Sequence, residues 1–183
     1  PPFSALLQHL RDGSLTRRIT VRGRVLARAG AEDGPALMTL LETDDPFLRE
    51  TGAEALGRLR YLPACDRLIA LLGDPFVFKA AAAALGELGC AEAEKPLLAM
   101  VSRVNERSPA ALIPLARMGV RRALPHIARH LKSEFSWIRE TALEALELLG
   151  GNDCRRLIEA AAQGDAAPEV RAKAKKILWR WSP

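Results

Sequence analysis

The stretch DDPFLRETGAEALGRL, residues 44–59, returns as EFSWIRETALEALELL at residues 134–149. Both keep Arg-Glu-Thr, then Glu-Ala-Leu, in the same register. Between them lies GDPFVFKAAAAALGEL (73–88). A weaker copy, NERSPAALIPLARMG, occupies 105–119, and PEVRAKAKKILWRW (168–181) is the last. One leucine anchors each copy: Leu56, Leu85, Leu115, Leu146 and Leu178, spaced by 29, 30, 31 and 32 residues. Self-similarity at a period near 30 residues signals a repeat architecture.

Each unit holds two helical patterns. The first is apolar: PALMTLL (35–41), DRLIALL (66–72), KPLLAMV (95–101), PHIARHL (125–131) and RRLIEAA (155–161). The second carries the anchor, with apolar residues eight, four and one before it, at it, and three after it. In the first unit these are Leu48, Gly52, Ala55, Leu56 and Leu59. In the fourth they are Ile138, Ala142, Ala145, Leu146 and Leu149. That spacing gives one buried helical stripe. Small residues four before the anchor (Gly52, Ala81, Ala111, Ala142, Ala174) allow close helix approach. Asp45-Pro46 and Asp74-Pro75 supply a cap and a first-turn proline between the two helices. Gly89, Gly119 and Gly150 suit a left-handed helix C-terminus.

A pair of helices this short cannot bury its apolar face alone, but stacked pairs can. The expectation is an all-α, right-handed solenoid. Residues 1–34 form an N-terminal capping pair, and the repeats are 35–63, 64–93, 94–123, 124–153 and 154–183 of a single domain. The pattern DP-x-(V/L/I)-R-x-x-A-x-x-ALG-x-LG resembles the short HEAT-like repeats, over about residues 35–181. The resemblance implies a protein-binding scaffold whose second helices line the concave face. The same family includes bilin lyases and related phycobilisome proteins, deoxyhypusine hydroxylases and some DNA glycosylases. A bilin-handling factor and a DNA-binding or DNA-repair protein are therefore the alternatives.

Charge sharpens the choice. The formal net charge is +5, yet residues 1–30 hold six arginines and one acid, Asp12. The rest of the chain is balanced, which argues against nucleic acid as the partner and for another protein. No apolar run reaches the ~18 residues of a membrane helix. The Pro-Pro start without an initiator Met reads as a module of a larger chain. Cys65, Cys90 and Cys154 show no CxxC spacing, and the sequence reading gives them neither a disulfide framework nor a zinc site, which points to a cytoplasmic setting.

Catalytic signals are lacking: there is no Gly-x-Ser-x-Gly and no phosphate-cradling loop, and no cofactor is called for. Arg49, Arg139 and Arg171 share the position seven before the anchor. In HEAT-like repeats this arginine hydrogen-bonds the turn between the two helices, and its fork of donors suits several carbonyls at once. Phe78 and Ser108 replace it in the second and third repeats. His126 and His130 sit four apart with Glu134 beyond, too few ligands for a metal centre. His130 aligns with Leu40, Leu71 and Met100, so a packed histidine is expected. Pro114, one before its anchor, predicts a bent third repeat. Trp181 should be buried, with Trp179 covering the last open edge.

The candidate binding residues stand at the first turn of the second helices. Nine before the anchor the chain has Phe47, Phe76, Glu106, Trp137 and Glu169. Three of the five are aromatic in a chain with five Phe, three Trp and one Tyr. Phe47, Phe76 and Trp137, flanked by Glu50, Glu54, Lys79, Glu140 and Glu144, form an expected partner-binding ridge, since aromatics beside charge make hot spots. A secondary basic patch comprises Arg17, Arg18, Arg22, Arg24 and Arg28. On a helix Arg17, Arg24 and Arg28 fall within ~40° of one another, opposite Leu15, Ile19 and Leu26.

Overall fold

The computed structural model describes residues 2–102 and 105–182. Among these are twelve α-helices and six short 3-10 segments, and no residue lies in a β-strand. The chain divides into two compact units, Pro1–Ala93 and Glu94–Pro183.

The first unit contains α1 (Phe3–Asp12), α2 (Leu15–Arg28), α3 (Gly34–Met38, continued by a 3-10 turn over Thr39–Glu42), α4 (Pro46–Arg58), α5 (Cys65–Leu71) and α6 (Phe78–Leu88). The second contains α7 (Glu94–Ser102), α8 (Leu112–Arg117), α9 (Leu124–His130), α10 (Ser136–Leu149), α11 (Asn152–Gly164) and α12 (Pro168–Arg180). Odd and even helices pair as the periodicity predicts. In the first unit α2 packs on α4 and α4 on α6; in the second α8 packs on α10 and α10 on α12. The anchors make these cores. Leu56, Leu85, Leu115 and Leu146 are fully buried, each worth about 1.5–3 kcal/mol in apolar transfer. Leu178 is half-buried.

Small residues set how closely the even helices approach. A Cβ on Gly57 would lie 2.8 Å from the Ala84 Cα of α6, so any side chain there would push α4 and α6 apart. The helix ends follow the glycines: Gly89, Gly119 and Gly150 have φ of 68°, 70° and 66°. The first repeat places Arg60 at the equivalent position, with φ 50°, a conformation L-residues rarely adopt.

Pro114 does not bend a helix interior. A 3-10 turn over Ser108–Ala111 precedes α8, which begins at Leu112. Pro114 therefore falls in the first turn of α8, where the missing N–H leaves no helical hydrogen bond unmade. The other correction is at the C-terminus: Trp181 is half-buried rather than buried, and Trp179 is 77% exposed.

Candidate functional site

The corners between paired helices are built on one short-range device. Asp45 Oδ1 accepts the Phe47 N–H at 2.9 Å. Asp74 Oδ1 accepts those of Phe76 and Val77 at 2.8 and 3.2 Å. Asp165 Oδ1 accepts that of Ala167 at 2.9 Å. Each aspartate also receives a guanidinium from the preceding even helix. Arg18 reaches Asp45, Arg49 Nη2 lies 2.7 Å from Asp74 Oδ2, and Arg139 grips both oxygens of Asp165 at 2.8 and 2.9 Å. The same arginines hold their own corners. Arg49 donates to the Thr43 carbonyl at 2.7 Å. Arg139 donates to those of Ser133 and Glu134 at 2.7 and 3.1 Å, and Arg171 to those of Asp165 and Ala166 at 2.6 and 2.9 Å.

The arginine row is thus consumed in holding corners and linking one corner to the next. Hydrogen bonds from Arg139 hold the Asp165 carboxyl below its usual range, against the opposing effect of burial. At Asp45 and Asp74 burial is the largest single influence and pushes upward. It is outweighed by hydrogen bonds from Arg18 and Phe47 N–H at one, and from Phe76 N–H and Arg49 at the other, so both carboxyls also lie low.

The third repeat solves its corner differently. Asn105 Oδ1 accepts the N–H groups of Arg107 and Ser108 at 2.9 and 3.0 Å. Ser108, fully buried in the arginine position, meets His130 Nε2 at 2.8 Å. His130 Nδ1 donates to the His126 carbonyl at 2.8 Å. His130 is 2% exposed, a packed histidine as its alignment predicts. His126 instead contacts Arg129 at 3.0 Å. Burial and the Arg129 charge lower its pKa.

The expected ridge residues occupy distinct environments. In the first, Phe47 is half-buried beneath two guanidinium groups, Arg18 at 4.8 Å and Arg22 at 5.6 Å from the ring centre. Arg22 also bonds Glu50 at 3.1 Å and Glu54 at 2.6 Å. Phe76, by contrast, is 73% exposed at the corner before α6. Lys79 is exposed, with its Nζ 6.0 Å from the Phe78 ring. In the second unit Trp137 is 55% exposed, and Lys173 lies 3.8 Å from Glu140 and 3.4 Å from Glu144. The flanking acids are therefore already met by bases one even helix away.

Of the basic patch, Arg18 pairs with Asp45 and Arg22 with Glu50 and Glu54, while Arg17, Arg24 and Arg28 are exposed. The core face of α2 is Val21 and Val25. Leu15 and Ile19 lie opposite the arginine stripe, and at 67% and 58% exposure they face solvent. The helical wheel puts them opposite the arginines but does not show that they face water, and no sequence pattern above singles out Phe135, exposed beside Trp137. An aromatic doublet split by one residue, Phe135-Ser136-Trp137, was the available signal for the latter.

The cysteine expectation is overturned. Cys65 and Cys90 form a disulfide with Cα atoms 6.4 Å apart. Cys65 opens α5 and Cys90 follows α6, and an antiparallel helix pair returns the chain to its starting level. The argument for a cytoplasmic setting from unpaired cysteines falls with it. Glu92 stands 4.0 Å from the Cys65 sulfur. Cys154 is a free thiol, buried, and burial pushes its pKa up despite Arg121 nearby.

Among solved structures, a chain of the complex of CpcE and CpcF of phycocyanin lyase from Nostoc sp. PCC7120 matches 97% of this chain and 76% of its own length, at 24% identity and a TM-score of 0.70. The fold is that of HEAT-like and armadillo repeats. The archaeal HEAT-like repeats protein from Thermococcus onnurineus NA1 is 19% identical, with a TM-score of 0.57 over 96% of this chain and 85% of its own. A designed armadillo repeat protein in complex with the peptide (KR)4 matches 100% of both chains at 17% identity and a TM-score of 0.62. No family model and no curated protein matches the sequence. Among the described residues no helix is long and apolar enough to cross a membrane.

Proposed function

We propose that this HEAT-like chain is a protein-binding module whose contacts are the open aromatics at its even-helix corners. The observation that carries this reading is the exposure of Phe76, at 73%, in the first unit and of Phe135 and Trp137, at 54% and 55%, in the second. Large rings left in water and flanked by charge are the usual anchors of protein interfaces. Phe47 drops out as an anchor, because Arg18 and Arg22 cover it, and it serves to seat α2 on α4. Glu50, Glu54, Glu140 and Glu144 act as a rim, since each already has a basic neighbour. Two of the neighbours among the solved structures are repeat proteins in complex with a protein or a peptide, which supports the same class of partner.

The test is partner capture from an extract of the native source, compared among wild type, Phe76→Ala and a Phe135→Ala/Trp137→Ala pair. Each variant should melt within about 2 °C of wild type and hold the partner more weakly by over ~2 kcal/mol, roughly 30-fold. Unchanged capture, or a stability loss of ~3–5 kcal/mol that marks the rings as core, overturns the reading.

The TM-score of 0.70 to a phycocyanin lyase chain favours a second reading, a bilin-handling factor that works with a second repeat protein. Mixing the chain with a bilin and its candidate partner subunit should then shift the bilin absorbance. A spectrum identical to that of free bilin excludes it.

A further inference from the structure

We infer that the groove between α1 and α2 docks an acidic peptide segment of a partner protein, a surface separate from the corner aromatics. Most of the first six arginines are already engaged. Arg11 donates to the Thr39 hydroxyl at 2.8 Å. Arg18 and Arg22 are spent on Asp45, Glu50 and Glu54, and Arg28 has an interaction of its own within the structure. Arg17 and Arg24 remain. Both are exposed, and among the described residues neither forms an ion pair.

These two arginines stand on one side of α2 and line a groove of about 450 Å³. His9 of α1 faces them across it, and the hydroxyls of Ser14, Thr16 and Thr20 edge it. Leu6 and Val21 close the bottom as buried core. Seven residues along a helix separate the two guanidinium-bearing positions by about 10 Å. In an extended, polyproline-II-like peptide, side chains three apart fall on one side at about 9 Å. Two carboxylates at that spacing can meet both guanidinium forks at once, and a planar fork matches a carboxylate in a bidentate pair. The Ser14 and Thr16 hydroxyls and His9 supply further donors for the peptide carbonyls, the Thr20 hydroxyl being engaged with the Thr16 carbonyl at 3.1 Å.

The extent of the charge selects the class of partner. Outside residues 1–30 the chain is balanced, so no long basic track leads away from the groove. A long polyanion such as duplex DNA gains affinity by neutralising many phosphates in a row. A short acidic segment needs only the two cations present.

A fluorescein-labelled octaglutamate peptide, followed by anisotropy at low salt, tests this. Wild type should bind it, and Arg17→Glu/Arg24→Glu should weaken binding at least 10-fold. Lys175→Glu/Lys176→Glu, which changes the net charge equally on exposed positions of α12, should stay within twofold. Arg17→Gln/Arg24→Gln, checked for native circular dichroism, serves if the charge reversal fails to fold, and should weaken binding at least fivefold. The inference is overturned if the wild type ignores the peptide, or if both reversals weaken it equally. It is also overturned if a short DNA duplex binds more tightly than the peptide and depends on Arg17 and Arg24.

Discussion

The corner after α9 and the corner after α7 do the same task with opposite chemistry. After α9, Arg139 closes its own turn through two carbonyls and grips Asp165 of the following turn with two near-parallel hydrogen bonds. The pair is ionic, its side chains 11% and 8% exposed. After α7 the arginine position holds Ser108, and a neutral contact to His130 fills the space. The first arrangement couples consecutive repeats strongly but leaves two charges dependent on each other. The second couples the third repeat to the fourth with weaker, shorter-reaching groups. A repeat protein therefore need not conserve chemistry at a corner, nor satisfy every donor there: among the described residues the buried Nε groups of Arg18 and Arg49 have no hydrogen-bond partner.

The largest expected break in this comparison is Arg139→Ala. It strands a nearly buried carboxylate and two turn carbonyls, and should cost about 3–5 kcal/mol in urea unfolding. A loss under ~1 kcal/mol would show that solvent reaches Asp165 and that the ionic corner is no stronger than the neutral one. The same variant should change the acid limb. The Asp165 carboxyl is held below its unfolded value of 3.8. Its contribution is therefore complete above about pH 4 and lost as pH falls through the lower folded value. Wild type should lose stability steeply below pH 4, and Arg139→Ala less so, when both are followed by thermal melting across pH 2–6.

Next comes Ser108→Ala, which leaves the buried His130 Nε2 without its partner and should cost about 1–3 kcal/mol. A cost matching that of Arg139→Ala would erase the contrast between the two corners. Smallest is Pro114→Ala. Because Pro114 lies in the first turn of α8, the change should move stability by less than ~1 kcal/mol, whereas relief of an interior proline would yield nearly 3 kcal/mol.

What the sequence could reveal follows the range of the forces involved. Anchors, small residues and left-handed glycines recur within each repeat, so the helix pairs were readable from period alone. The arginine role was implied by the HEAT-like resemblance, and the turn carbonyls it holds lie five or six residues away. Contacts across repeats were harder. The acids that consume Arg18 and Arg22 lie 27 to 32 residues downstream, beyond any local pattern. The helical wheel placed Leu15 and Ile19 opposite the arginines correctly, but a wheel does not say which side meets the core. That side proved to be Val21 and Val25, leaving both residues in water. The Cys65–Cys90 bond was missed because the two residues stand at opposite ends of one repeat, 64–93, and only the antiparallel return of α6 brings them together.

That bond also sets how the first unit responds to force. Its cysteines are separated by 25 residues and bracket α5 and α6. Pulled from its two ends, an oxidised chain passes tension across the bond and leaves those helices outside the load path. Once reduced, the same chain would pay out roughly 25 further residues, about 80–90 Å of extra contour length. The pair of helices thus behaves as a tether with two lengths, and the redox state of one bond selects between them.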